Sequence, residues 1–332
     1  MSRTATAFSA VHQVARPDGP PTPEDFAFVT GELPPPGEGE ALVENLLLSV
    51  DPYMREEMDG GWALNAPLEG RAIGRVVESR TPALAVGDLV FHRQGWRTHA
   101  LVAPDAARVL PDLPGVPLAA HLGLLGGTGL SAYVGLTRIA RLQPGEDLYV
   151  SSAAGGVGSA VGRIARLLGV RRLVGSTGSP AKVAHLTDRL GFDAAFDHHD
   201  GPIGDLLRKT APDGIDVYFD NVGGSHLEGA IEVLRDGGRI AWCGAVAQYN
   251  SAEPPAAPRN LYDVVGKSLR LEGFLVRNHL AVRDELYAAL VPHLRSGRMQ
   301  SDETVVDGFD RIVAAFLAML RGDTVGKTLV RV

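Results

Sequence analysis

Residues 151–162 read SSAAGGVGSAVG, between the apolar DLYV of 147–150 and GRIARLLG of 162–169, which has helical spacing. Strand, glycine turn and helix follow one another as a dinucleotide-binding fold requires. The spacing is GxGxxxG over Gly156, Gly158 and Gly162 in place of GxGxxG. With a pyrophosphate at this turn each part has a task. Small residues Ala153 to Gly158 let the backbone approach the phosphates, and the helix from about Val157 aims its positive N-terminus at the anion.

Outward from this turn, strand-like runs alternate with amphipathic ones from about residue 122. The strands are DLYVSS, RRLVGST, AAFD, IDVYFDN and GRIAWCG; between them lie PAKVAHLTDRLG and SHLEGAIEVLRDGG. Alternation with units of about thirty residues or less predicts βαβ crossovers and a doubly wound parallel sheet. Before residue 122 the texture is all-β with Pro- and Gly-rich loops: ALVENLLLSV, RAIGRVVES, DLVFH and THALV. After SLRLEGFLV come a helical segment at about 280–296, a short extended piece, the helix-like FDRIVAAFLAMLRG and a last strand in GKTLVRV.

A chain of 332 residues, 45% hydrophobic, can build two cores. Its net charge of -7 shows no basic excess, so no nucleic-acid partner is expected. No run of eighteen apolar residues predicts a spanning helix. The first seventeen residues read as an opening strand and not as a targeting segment. The single cysteine, Cys243, allows no intrachain disulfide and no multi-cysteine zinc site. A cytoplasmic, metal-free protein is the expectation, with Cys243, at the end of RIAWC, as a packing residue.

The end of the second strand distinguishes the nicotinamide cofactors, because an acid there holds the ribose hydroxyl of NAD. Here GSTGSPAK, with Ser176 and Gly178, carries no carboxylate, and Lys182 can meet a 2′-phosphate. NADP(H) is therefore expected. FDNVGG ends a later strand at the carboxyl edge of the sheet, where Asn221 can bond the cofactor or simply form a turn.

Taken together, DPYMREEM (51–58), GLSAYVGL (129–136), AAGGVGSAVG, GSPAK, FDNVGG, CGAVAQYN (243–250) and LRLEGFLV (269–276) resemble the zinc-independent medium-chain dehydrogenase/reductases. Within them the resemblance is to the prostaglandin and leukotriene reductases and the alkenal double-bond reductases. It runs nearly end to end and implies a GroES-like β-rich catalytic domain (1–121 and 292–332) around a Rossmann-type nucleotide-binding domain (122–291). It also implies NADPH-dependent reduction of the carbon–carbon double bond of α,β-unsaturated aldehydes and ketones, and a homodimer. Zinc-dependent relatives carry a Gly-His-Glu segment, where this chain has Glu69, Gly70 and Arg71.

By position, the resemblance puts the adenosine phosphate near Gly178 and Lys182, and the pyrophosphate at Ala154, Gly155, Gly156, Val157 and Gly158. It puts the nicotinamide end near Asn221, Cys243, Gly244 and Phe274, Leu275 and Val276, with Tyr249 and Asn250 as the family's YN pair. His198 stands where many relatives have a tyrosine at the adenosine phosphate. Gly266 stands where several have a tyrosine near the nicotinamide ribose, with Tyr262 four residues earlier. Tyr53 of DPYMR is the candidate donor to the substrate carbonyl; packing beneath a loop is its other role. Met54, Met58 and Trp62, with the loop at 246–262, are expected to wall an apolar substrate pocket. A quinone or ketone reductase on the same scaffold, and a cofactor-binding sensor with little catalysis, are the competing functions.

Overall fold

The computed structural model describes residues 5–250, 253 and 256–332. The chain falls into two compact units, one reaching to Pro114 with Thr304–Thr324 and Thr328–Val332, the other formed by Gly115–Glu303 with Val325–Lys327.

The first unit opens with β1 (Thr6–Gln13) and β2 (Phe26–Leu33), an antiparallel pair. Next come β3 (Ala41–Ser49), α1 (Met54–Glu56), β4 (Ala72–Ser79), β5 (Leu89–His92), β6 (His99–Val102) and β7 (Ala107–Val109). The second unit starts with α2 (Gly127–Val134), β8 (Asp147–Val150), α3 (Gly156–Leu167), β9 (Arg172–Thr177), α4 (Pro180–Arg189) and β10 (Ala194–Asp197). It continues with α5 (Ile203–Thr210), β11 (Ile215–Asp220), α6 (Gly224–Val233), β12 (Leu234–Trp242), α7 (Val246–Tyr249), α8 (Asp263–Gly266), β13 (Arg270–Gly273) and α9 (Arg283–Arg295). The chain closes with β14 (Glu303–Asp307), α10 (Ile312–Leu320) and β15 (Lys327–Arg331).

The parallel sheet runs β10-β9-β8-β11-β12-β13. Counted from β8 this is the 3-2-1-4-5-6 order of dinucleotide-binding sheets, with the order reversing between β8 and β11. β8 is buried along its whole length, as a central strand covered on both faces must be. One boundary differs from expectation. The amphipathic stretch 225–238 is helical only to Val233, and β12 begins at Leu234, with a register shift against β11 between Ile215 and Val217. Leu234 is buried, so strand pairing beside β11 overrides the helical pattern there.

The other sheet runs β14-β15-β3-β4-β5-β7, with β6 on β3. Its mostly antiparallel pairing follows from the alternating sequence, and β3 alternates little because it is enclosed between β15 and β4, with β6 also on it. The core of the first unit gathers Trp96, Phe26, Trp62 and Phe316. Trp96 stacks on Phe26 at 5.9 Å and meets Trp62 and Phe316 edge-on at 5.7 and 5.6 Å. Trp96→Ala should lower the stability of this unit by about 3–5 kcal/mol, read as a lower urea midpoint in near-ultraviolet circular dichroism.

Candidate functional site

The turn between β8 and α3 is built by backbone proximity. A Cβ at Gly158 would lie 2.3 Å from the Ser152 carbonyl oxygen and 2.6 Å from the Ala153 Cα, so only glycine lets the helix start this close to the strand end. Ser152 takes a left-handed φ of 49° to make the bend. The Ala153 N–H donates to the Ser176 carbonyl at 2.9 Å, and Gly155 N–H donates to Ser152 O at 3.0 Å. Gly162 has the second packing role: a Cβ there would meet the Phe192 ring at 2.5 Å. A Cβ at Gly156 would meet Thr128 Cγ2 at 3.3 Å and the Lys327 Cα at 3.4 Å, a tight contact but a bearable one. The first-turn N–H groups of α3 have no partner within the helix and, with the helix dipole, present positive potential to an anion. This cradle fits a pyrophosphate.

Around the turn the other candidates divide. Asn221 is buried, its Nδ2 donating to the Ser151 carbonyl at 2.8 Å and its backbone N–H to Ser151 Oγ at 3.0 Å. Cys243 and Gly244 lie beside it, both donating their N–H groups to the Asp220 carbonyl. The Tyr249 hydroxyl comes within 3.7 Å of where a Cβ on Gly244 would stand. The Oδ1 of Asn250 is buried with no hydrogen-bond partner among the described residues. Phe274 follows β13 with its N–H on the Trp242 carbonyl, and Leu275 and Val276 lead into a short helical turn. Asn221, Cys243, Gly244, Tyr249 and Phe274 are thus brought to the carboxyl ends of β11, β12 and β13. The Cys243 thiol is pushed up to about 12 by burial and then by the Asp220 carboxylate, which keeps it a thiol.

Ser176 is placed differently from expectation. It is fully buried and its hydroxyl bonds Tyr149 at 2.8 Å, so its side chain serves the core and its carbonyl serves the turn. Gly178 is exposed after β9, with His198 beside it, and Lys182 lies in the first turn of α4, whose cap is Ser179. Tyr262 is 80% exposed one turn before Gly266, whose missing Cβ would meet nothing within 4 Å. Residues 251–252 and 254–255 of the expected substrate loop lie outside the described residues.

In the first unit Tyr53 is half-buried, not exposed as its loop position suggests. Its hydroxyl donates a long bond, 3.4 Å, to Glu69 Oε2, and Arg71 places its guanidinium 4.9 Å from the ring centre. Glu69 is paired with Arg93 at 2.5 Å and Arg71 with Asp51 at 3.0 Å. Burial first, then Asp51, raises the phenol's pKa, so it stays protonated and able to donate. Met54, Met58 and Trp62 do not wall a pocket. They are buried in the core with Val11, Trp96 and Phe316: the helical turns over 54–61 direct Met54 and Met58 inward, and Trp62 follows in extended backbone.

A family model described as the N-terminal domain of oxidoreductase matches residues 10–110, and one described as zinc-binding dehydrogenase matches residues 156–294. Prostaglandin reductase 1 of Rattus norvegicus is 41% identical over 95% of this chain and 96% of its own. The chain belongs to the medium-chain dehydrogenase/reductase family. Its subfamily is that of the prostaglandin and alkenal reductases. The NADP(+)-dependent 2-alkenal reductase of Nicotiana tabacum is 35% identical over 90% of this chain and 89% of its own. The crystal structure of CurA from Vibrio vulnificus in complex with NADPH superposes with a TM-score of 0.91 at 31% identity, covering 97% of this chain and 98% of that one.

The zinc of dehydrogenases in this family does not fit these residues. Arg71, in the segment where zinc-dependent members have ligands, is committed to Asp51, and the one thiol resists ionisation. Residues that sequence reasoning missed are Glu69, which holds the Tyr53 hydroxyl, and Asp220. The fully buried Asp220 carboxylate accepts from Tyr218 at 2.6 Å and from the Val222 and Gly223 N–H groups at 2.8 Å each. An Asp three residues before a glycine pair is the sequence signal for such a turn. Gly158→Ala should weaken NADPH binding by about tenfold or more, ~1.4 kcal/mol, while Gly156→Ala keeps affinity within about threefold, as isothermal titration calorimetry will show.

Proposed function

We propose that the protein reduces the carbon–carbon double bond of a small α,β-unsaturated ketone or aldehyde with NADPH. The observation that carries this reading is the Gly158 cradle at the switch point of the sheet, beside a β9 end free of carboxylates. Relatives named prostaglandin reductase and 2-alkenal reductase, and a neighbour solved with NADPH, support it.

NADPH, when bound, supplies a hydride to the substrate's β-carbon. The first turn of α3 with Ala154, Gly155, Gly156, Val157 and Gly158 would hold its pyrophosphate, and Gly178, Lys182 and His198 would take its adenosine end. Asn221, Cys243, Gly244, Tyr249, Asn250 and residues 274–276 would take its nicotinamide end, Asn221 by shaping the strand end. A donor aimed at the substrate's carbonyl oxygen would stabilise the negative charge that develops there. Tyr53 is that donor: its phenol keeps its proton, and its long bond to Glu69 is readily exchanged for a stronger one to an anionic oxygen. Solvent delivers the proton to the α-carbon, since Gly266 offers no acid. The resemblance also supports a cytoplasmic homodimer.

Consumption of NADPH and NADH should be followed with an enal, an enone, a quinone and a saturated ketone, with product analysis. Reduction of the enone's double bond by NADPH is expected; turnover confined to the quinone or ketone overturns the assignment. Tyr53→Phe should cut turnover by about 10²-fold with NADPH affinity unchanged, and full activity in that variant removes Tyr53 from the reaction.

A further inference from the structure

Four charged side chains of the first unit gather around Tyr53. Glu69 Oε2 accepts from its hydroxyl at 3.4 Å, and the Arg71 guanidinium lies 4.9 Å from its ring centre. Each of these has a partner of opposite charge: Arg93 pairs with Glu69 at 2.5 Å, and Asp51 Oδ2 with Arg71 at 3.0 Å. The backbone that carries Glu69 and Arg71 is tightly held. A Cβ on Gly70 between them would lie 2.9 Å from Trp96 Cδ1 and 3.0 Å from Met54 Cε, and the Ser49 N–H donates to the Arg71 carbonyl at 2.8 Å. The Ser49 hydroxyl also donates, at 2.6 Å, to the same Asp51 Oδ2 that meets Arg71.

This frame leaves the guanidinium with donors to spare. It carries five N–H groups, of which one carboxylate takes at most two. Among the described residues Asp51 is the only polar partner of the Arg71 side chain, which keeps 21% of its surface exposed against 10% for Asp51. The remaining donors therefore reach solvent on the side away from the ion pair. Burial and Asp51 push the phenol's pKa up while Arg71 pulls it down, so the charge of Arg71 is felt at the hydroxyl oxygen. Charge balance then decides what Arg71 does there. Asp51 and Glu69 are offset by Arg71 and Arg93; without Arg71 the frame is net negative and repels an anionic oxygen next to the phenol.

We propose that Arg71 is a second catalytic group beside Tyr53, its spare N–H groups and fixed charge stabilising the carbonyl oxygen of the substrate as negative charge develops on it, with Asp51 and Ser49 as positioning residues. The proposal rests on the reading of Tyr53 above and adds a countercharge to it. A phenol donates one hydrogen bond and stays neutral, whereas a guanidinium keeps its positive charge at any ordinary pH. Together they supply a donor and a cation to one oxygen.

The test compares Arg71→Met, of similar length but uncharged, and Arg71→Lys, charged but without the planar fork, with wild type on the enone. Arg71→Met should lower kcat by about 10–100-fold, and Arg71→Lys should recover only part of that. Calorimetric NADPH affinity should be the same in all three. Two readouts separate a chemical role from support of the fold. Turnover of Arg71→Ala should rise on addition of methylguanidinium and not of urea, which is neutral and of similar shape. In the absence of coenzyme, para-nitrophenolate, an anionic oxygen on a conjugated ring, should bind Arg71→Met about tenfold more weakly than wild type.

Arg71→Met turnover within about twofold of wild type, rescue by urea as readily as by methylguanidinium, or equal phenolate affinity in the two proteins overturns the proposal. Should Arg71→Met lose its near-ultraviolet circular dichroism, Arg71→Lys, which keeps a cation opposite Asp51, carries the test, and wild-type turnover in it overturns the proposal. A fully active Tyr53→Phe with an impaired Arg71→Met removes Tyr53 and leaves Arg71; the reverse pattern removes Arg71 and leaves Tyr53. Wild-type protein that reduces no enone overturns the function and this role together.

Discussion

The close approach of Gly158 to the backbone of Ser152 and Ala153 is the constraint on which the nucleotide-binding unit depends. It fixes where α3 begins relative to the end of β8, and with it the direction of the helix dipole. Three other segments are tied to the same few residues. β9 is tied through Ser176 O to Ala153 N–H, and the final segment through Gly326 N–H to Ala154 O at 2.8 Å. β11 is joined through Phe219 O to Ser151 N–H at 3.2 Å. A side chain at residue 158 would therefore disturb more than a phosphate contact. It would separate a helix from the strand ends that make the rest of the site.

Beneath this turn lies a buried polar layer. Tyr149 and Tyr218 stack at 4.8 Å with their planes 10° apart, and their hydroxyls leave the stack in different directions. Tyr149 meets Ser176, whereas Tyr218 donates to Asp220 and lies 2.9 Å from Ser151 Oγ. Each such bond contributes about 1 kcal/mol, and leaving one of these groups unpaired costs about 1–3 kcal/mol. The layer is consequently a stiff floor. Asp220, raised in pKa by burial and held by two backbone N–H groups, Ser151 and Tyr218, shapes the turn into α6 and places Asn221 and Cys243 at the strand edge.

The first unit follows a different logic. Its DPYMR segment sets the half-buried Tyr53 among neighbours that pack. Met54 and Arg55 are buried, Met58 enters the core, and Asp51 anchors Arg71, whose guanidinium covers the Tyr53 ring. Tyr53 is thereby positioned by an ionic frame with the phenol held by a single long bond. The arrangement restrains the ring while leaving its hydroxyl able to change partner.

Sequence alone determined the strand–turn–helix at 147–167, the parallel sheet, the absence of an acid after β9 and the lack of a thiolate set for zinc. These are properties of periodicity and residue type, which local physics reads directly. Only the tertiary structure decided which candidates stand at the strand ends and which turn into the core. Ser176 turns into the core because its position in β9 points it at Tyr149, and Met54, Met58 and Trp62 do so because their helical turns lie on the aromatic cluster. Tertiary structure also brings Asp197 and His199 to the edge where Gly178 stands. Nothing in their own stretch of chain links them to Gly178, about twenty residues earlier. Parallel pairing of β10 with β9 creates that neighbourhood, and a contact made by sheet register is visible only once the strands are paired.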